Sequence, residues 1–84
     1  IVDYWAPWCG PCKMMAPAFA QAAQDLQFKA RFGKIDTEQF PVVSQRLQIR
    51  GIPLLILYKN GGEVDRLSGA RPAADITAFV RAHL

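Results

Sequence analysis

The spacing of apolar and polar positions changes repeatedly along the chain, and the changes mark seven elements. Ile1 to Ala6 is a short apolar run with two aromatics, the pattern of a buried strand. From Cys9 to about Gln27 the period becomes helical: Met15, Phe19, Ala22 and Leu26 recur at three- and four-residue spacing and predict one buried face. Pro17 falls inside this stretch and removes one intrahelical hydrogen bond, so a kink is expected there. Phe28 to Asp36 reads as a second strand despite Lys29 and Arg31, and Glu38 to Leu47 as a second helix with Pro41 near its first turn. Leu54 to Tyr58 is a wholly apolar strand. Asn60-Gly61-Gly62 is a hairpin signal, and Glu63 to Ser68 returns as a strand with Val64 and Leu67 expected on one face. Arg71-Pro72 opens a last helix, whose stripe is Ile76, Phe79, Val80 and Leu84.

The order is therefore strand, helix, strand, helix, strand, strand, helix. A right-handed crossover through the first helix makes its two flanking strands parallel, and the glycine-rich turn makes the last two antiparallel. The expected architecture is α/β, with a mixed four-stranded sheet covered by three helices.

The chain has 84 residues, enough for one small domain, 1–84, with a thin margin of stability. Its hydrophobic fraction of 51% and charged fraction of 20% are those of a soluble globular protein. No apolar run approaches the roughly 20 residues of a membrane span, and no signal peptide is visible. The chain opens directly in an apolar run without Met, as a processed or excised piece would. Its net charge of +3 comes from scattered basic residues, with no basic block and no interleaved aromatics, so a nucleic-acid partner is not expected.

Two cysteines, Cys9 and Cys12, are the chemically informative residues. A disulfide closing so short a loop removes little entropy from the unfolded chain, which points away from a stapling role. Redox chemistry or metal binding is left. Structural zinc takes four ligands, and the only histidine, His83, lies at the other end of the chain, so zinc is the weaker reading. Cys9 follows a strand and begins a helix. There, unpaired amides and the helix dipole favour a thiolate, the nucleophile of disulfide exchange. Cys12 stands one turn on, placed to attack a mixed disulfide on Cys9. Gly10-Pro11 adds no charge between them, whereas a histidine would make the site more oxidising; the pair reads as a reductant.

Over essentially its whole length the chain resembles the thioredoxin family. The resemblance rests on Val2-Asp3-Tyr4-Trp5-Ala6-Pro7-Trp8-Cys9-Gly10-Pro11-Cys12-Lys13-Met14, Ala16-Pro17, Ile49-Arg50-Gly51-Ile52-Pro53, Tyr58-Lys59-Asn60-Gly61 and Gly69-Ala70. It implies a protein-disulfide reductase with Cys9 as attacking and Cys12 as resolving thiol. Asp3 would be a buried carboxyl handling the proton of the second cysteine, and Lys34 the lysine that faces it. Pro53 would be a cis-proline beside the sulfurs, with the Ile52 backbone pairing with substrate. Trp8, Gly10, Pro11, Gly69 and Ala70 would complete the substrate face, and Trp5 would pack under it. The implied partners are protein disulfides and a thioredoxin reductase, with no cofactor beyond the Cys9–Cys12 pair, no metal, no nucleic acid and no membrane. The implied setting is cytoplasmic electron transport and cell redox homeostasis.

Three departures qualify that expectation. Leu54 stands where the family commonly has Thr after the cis-proline, and Ser68 where an apolar residue is usual. The family's first strand and helix are missing ahead of Asp3. The strand Phe28 to Asp36 is then expected to form an open edge, with lower stability than a complete domain or edge-to-edge association in place of a monomer. Ala6-Pro7-Trp8 and Asp36-Thr37-Glu38 also resemble a second bacterial thioredoxin class that carries a zinc segment ahead of the domain. Two alternatives to a general reductase follow: a reductant dedicated to one target, or a non-catalytic binding or chaperone-like module.

Overall fold

The computed structural model describes residues 1–84. It contains β1 (Val2–Trp5), α1 (Gly10–Asp25), β2 (Gly33–Asp36), α2 (Pro41–Leu47), β3 (Leu54–Lys59), β4 (Gly62–Ser68) and α3 (Ala73–Arg81). The strands form one sheet in the order β2-β1-β3-β4. β1 and β2 are parallel, while β1–β3 and β3–β4 are antiparallel. This is the mixed four-stranded sheet with three helices that the order of elements implies, and β2 is one of its edges.

The uninterrupted apolar run of β3 follows from its central place, with both faces covered. Leu55 and Leu57 point to one side. There they join Ile1, Met15, Phe19, Ala22, Leu26, Ile76 and Val80 in the larger core, built against α1 and α3. Leu54 and Ile56 point to the other side with Tyr4, against Val43 and Leu47 of α2. On that second face the hydroxyls of Tyr4 and Tyr58 share a hydrogen bond of 2.7 Å. Arg66 of β4 donates to the Leu47 carbonyl at 2.8 Å, tying the sheet to the end of α2.

Four boundaries or faces differ from those the sequence suggests, each for a local reason. The second strand begins at Gly33, not Phe28. The chain must first turn back from α1, and it does so through Phe28 at φ 70°, with the ring 96% exposed. The second helix begins at Pro41, because the Asp36 carboxylate accepts the amides of Glu38 and Gln39 at 2.9 and 3.4 Å and holds a turn ahead of it. Val64 does not share a face with Leu67. Leu57 pairs with Asp65 and Tyr58 with Glu63, so Val64 is the extra residue of a bulge and is exposed. Leu84 lies beyond α3 and is exposed. The buried stripe of that helix is Ile76 and Val80, with Phe79 packed beside it.

Candidate active site

The two cysteines lie where β1 gives way to α1. Cys9 is the N-cap of the helix, with extended backbone at φ −86° and ψ 107°. Its sulfur accepts the Cys12 N–H at 3.2 Å. This is the bond that a serine or aspartate oxygen makes at most helix starts. Pro11 lies in the first turn, where a missing N–H leaves no vacancy in the helix ladder, and no acidic side chain occupies that turn. The partial positive charge of the helix start is therefore directed at sulfur and not offset by a neighbouring carboxylate. Any negative charge developing on Cys9 is stabilised by the same groups.

Cys9 and Cys12 are joined as a disulfide, with Cα atoms 5.3 Å apart. Both are buried and cluster with Ala6, and half-buried Trp5 and Ile52 pack against them. The Ile52 carbonyl oxygen lies 3.8 Å from the Cys9 sulfur. The Ile52–Pro53 peptide bond is cis, and Pro53 is fully buried. Gly69, at φ 85°, donates its N–H to the Pro53 carbonyl at 3.0 Å, so the end of β4 is fastened to the cis-proline loop. A side chain at Gly69 would be strained by that left-handed backbone. Ala70 follows, exposed. Trp8, Gly10 and Pro11 are exposed around the sulfurs, with the Trp8 indole 70% accessible.

Asp3 is completely buried, and neither carboxylate oxygen has a hydrogen-bond partner. Loss of solvent raises its pKa to about 6, and the Lys34 charge opposes part of that rise. Lys34 is the register partner of Asp3 on β2. Its ammonium lies 4.9 Å from the centroid of the Trp5 ring, the same ring that packs against the cysteine cluster.

The structure thus brings Cys9, Cys12 and Ile52 together directly, joins Pro53 and Gly69 to them through the Ile52–Pro53 bond and the Gly69 hydrogen bond, and joins Lys34 to the cluster through Trp5. Among the exposed apolar residues to which the sequence assigns no role is Met14, 79% accessible, in the second turn of α1. Its offset from the buried stripe of Met15, Phe19 and Ala22 was the available signal. His83 bonds to Asp65 at 3.0 Å at the junction of α3 and β4, outside this cluster. No group of three or more His, Cys, Asp or Glu side chains is arranged to hold a metal ion. No helix is long and apolar enough to cross a membrane.

A disulfide that caps a helix, beside a strand end and a cis-proline, is the site of a thiol–disulfide oxidoreductase. The family model for thioredoxin matches residues 1–82. Thioredoxin 1 of Nostoc sp. is 40% identical over 84 residues, covering 100% of this chain and 78% of that protein. The thioredoxin of Staphylococcus saprophyticus is 38% identical, covering 100% of this chain and 81% of its own. A solved structure of Plasmodium falciparum thioredoxin superposes with a TM-score of 0.89 at 32% identity, over 99% of this chain and 83% of that one. The chain belongs to the thioredoxin family. Its redox group is its own Cys9–Cys12 pair, which works by dithiol–disulfide exchange without an external cofactor.

Proposed function

We propose that residues 1–84 act as one catalytic unit that reduces protein disulfides broadly, in the cytoplasm, and is returned to the dithiol by a thioredoxin reductase. The observation that carries this reading is the Cys9 sulfur capping α1 and accepting the Cys12 amide at 3.2 Å. In the dithiol form the Cys9 thiolate attacks one sulfur of a substrate disulfide. A Cys9–substrate bond forms, the substrate S–S bond breaks, and the departing thiolate takes a proton from solvent. Cys12 then gives up its proton and attacks the Cys9 sulfur. The mixed disulfide breaks, the second substrate thiolate leaves, and the Cys9–Cys12 disulfide remains. Two electrons have passed to the substrate.

Asp3 is assigned the proton of Cys12. A carboxyl with a pKa of about 6 is ionised at neutral pH, yet is a better proton acceptor than an ordinary surface carboxylate. Lys34 positions the charge of Asp3. Trp8, Gly10, Pro11, Ala70 and the Ile52–Pro53 and Gly69 backbones form the substrate face. An extended substrate strand pairs there with the chain at Ile52.

The experiment is reduction of insulin with dithiothreitol as electron source. Rapid turnover by the native chain, lost in Cys9→Ser, is expected; no turnover by a folded sample overturns the reading. A narrower duty is the second reading, favoured by Ser68, which puts a polar, exposed residue on the rim beside Leu54. Rates on several unrelated disulfide proteins separate the two.

A further inference from the structure

Beside the cis-proline loop the surface opens into a cleft of about 380 Å³, whose arginine side chains have no part in the chemistry above. One wall is the segment after α2, with Gln48 and Arg50; the other is the end of β4, with Arg66 and Ser68. Its floor is Ile52 and Pro53, and the Ile52 carbonyl is the one that meets the Cys9 sulfur. On the other side of the same loop lies a smaller cleft of about 160 Å³, reached from Trp8 and Thr37, and Arg50 lines both. Neither cleft is lined by a carboxylate.

The three arginines of this region are differently engaged. Arg66 is held by both Glu63 oxygens and by the Leu47 carbonyl. Arg71 donates to the Ser68 carbonyl at 3.0 Å and faces Asp75 at 3.9 Å. Arg50 is exposed and makes neither a hydrogen bond nor an ion pair. It is a free, planar donor two residues from the carbonyl that touches the attacking sulfur. Ser68, opposite it, adds a hydroxyl where a larger apolar side chain would close the cleft to polar groups.

We infer that this cleft selects the substrate: it takes an acidic side chain, Asp or Glu, lying close to the cysteine that Cys9 attacks, with Arg50 as the specificity-determining residue. The inference rests on the substrate face proposed above. An extended chain paired at Ile52 advances about 3.3 Å per residue and sends alternate side chains to the same face. A carboxylate two residues from the attacked cysteine therefore falls within reach of the cleft. Arg50 meets it with a fork of N–H donors matched to a carboxylate. An exposed pair of this kind favours the acidic substrate about two- to fivefold.

The test uses short peptides closed by one disulfide and identical except for Glu, Gln or Lys two residues from each cysteine. kcat/KM is measured for each peptide with native protein, Arg50→Gln and Ser68→Val, at low and high salt. The native chain is expected to reduce the Glu peptide about threefold faster than the Gln peptide, and the Lys peptide slowest. The Glu-to-Gln ratio should fall to about one in Arg50→Gln and at 1 M salt, where the Debye length is about 3 Å, and should fall partly in Ser68→Val. Equal rates for the three peptides overturn the inference and leave the reductase reading standing. So does a preference that survives Arg50→Gln. Failure to reduce any peptide, with the protein folded, overturns both.

Discussion

Asp3 and Lys34 are register partners on neighbouring parallel strands, but their charges do not meet in a hydrogen bond. The carboxylate is sealed from solvent without a donor, while the ammonium reaches over the Trp5 ring towards the surface. Burial disfavours the ionised carboxyl, and the cation near it returns only part of what solvent supplied. Such an arrangement weakens the fold and leaves a buried carboxyl whose ionisation is set by its surroundings. This trade is commonest at functional sites.

The first consequence is a pH-dependent gain in stability for Asp3→Asn. The native pKa of about 6 lies above the ordinary value of 3.8. Below pH 3.8 the carboxyl is protonated in both states and costs nothing. Between 3.8 and 6 the unfolded chain releases the proton first, so stability falls as pH rises. Above 6 the loss is complete, about 3 kcal/mol at 1.36 kcal/mol per pKa unit. Denaturant unfolding of native and variant chains should therefore show a gain that is about 2 kcal/mol larger at pH 7.5 than at pH 4. A gain independent of pH would mean that Asp3 is not the titrating group.

The same substitution should slow the chemistry while it stabilises the fold. If Asp3 takes the Cys12 proton, turnover of a disulfide substrate by Asp3→Asn falls by about 10²-fold. In the native chain, single-turnover rates should rise with pH through an inflection near 6, which the variant lacks. Lys34→Gln removes the cation that holds the Asp3 pKa down, so the inflection should move to higher pH. An inflection unmoved in Lys34→Gln would remove Lys34 from the positioning role assigned to it.

Sulfur placement gives a prediction of different kind. Cys12→Ser leaves the attacking thiol but no resolving one, so a covalent adduct with protein disulfide substrates should accumulate and be visible by mass spectrometry. Cys9→Ser should give none. In Cys12→Ser, alkylation of Cys9 by iodoacetamide should titrate below the free-thiol value of about 8.5, because the helix start favours the thiolate. A midpoint at or above 8.5 would show that the cap geometry does not activate this sulfur.

The sequence exposed the site better than it exposed the chain path. Cys9-Gly10-Pro11-Cys12 at a strand-to-helix change is local information, and the local physics of a helix start assigns its chemistry without tertiary knowledge. Residues 52–53 and 69–70 are distant in the chain, and in the sequence only the family resemblance links them to the cysteines; the fold sets the Ile52 carbonyl beside Cys9 and bonds Gly69 to Pro53. The errors fell where one local feature overrides periodicity. The Asp36 carboxylate delays α2, and an extra residue at Val64 rotates part of β4. Arg50 stands in the sequence only as one member of the run Ile49-Arg50-Gly51-Ile52-Pro53, with no role of its own. What singles it out is the absence of a partner, which only the folded surroundings reveal.

Phe28 is the clearest case of a residue at odds with its backbone. Its φ of 70° lies in the left-handed region, and its ring is 96% exposed, so packing returns almost nothing for the strain. An L-residue there is destabilised by about 1–2 kcal/mol relative to glycine, which also loses more chain entropy on folding. Phe28→Gly is therefore expected to stabilise the chain by about 0.5–1 kcal/mol, read as a higher urea midpoint at unchanged slope. Phe28→Ala keeps the side-chain penalty while removing the ring, and should leave the midpoint near that of the native chain. If Phe28→Gly and Phe28→Ala both lower the midpoint instead, the ring is packing against something in solution. An accompanying dependence of the midpoint on protein concentration would identify that something as a second copy of the chain.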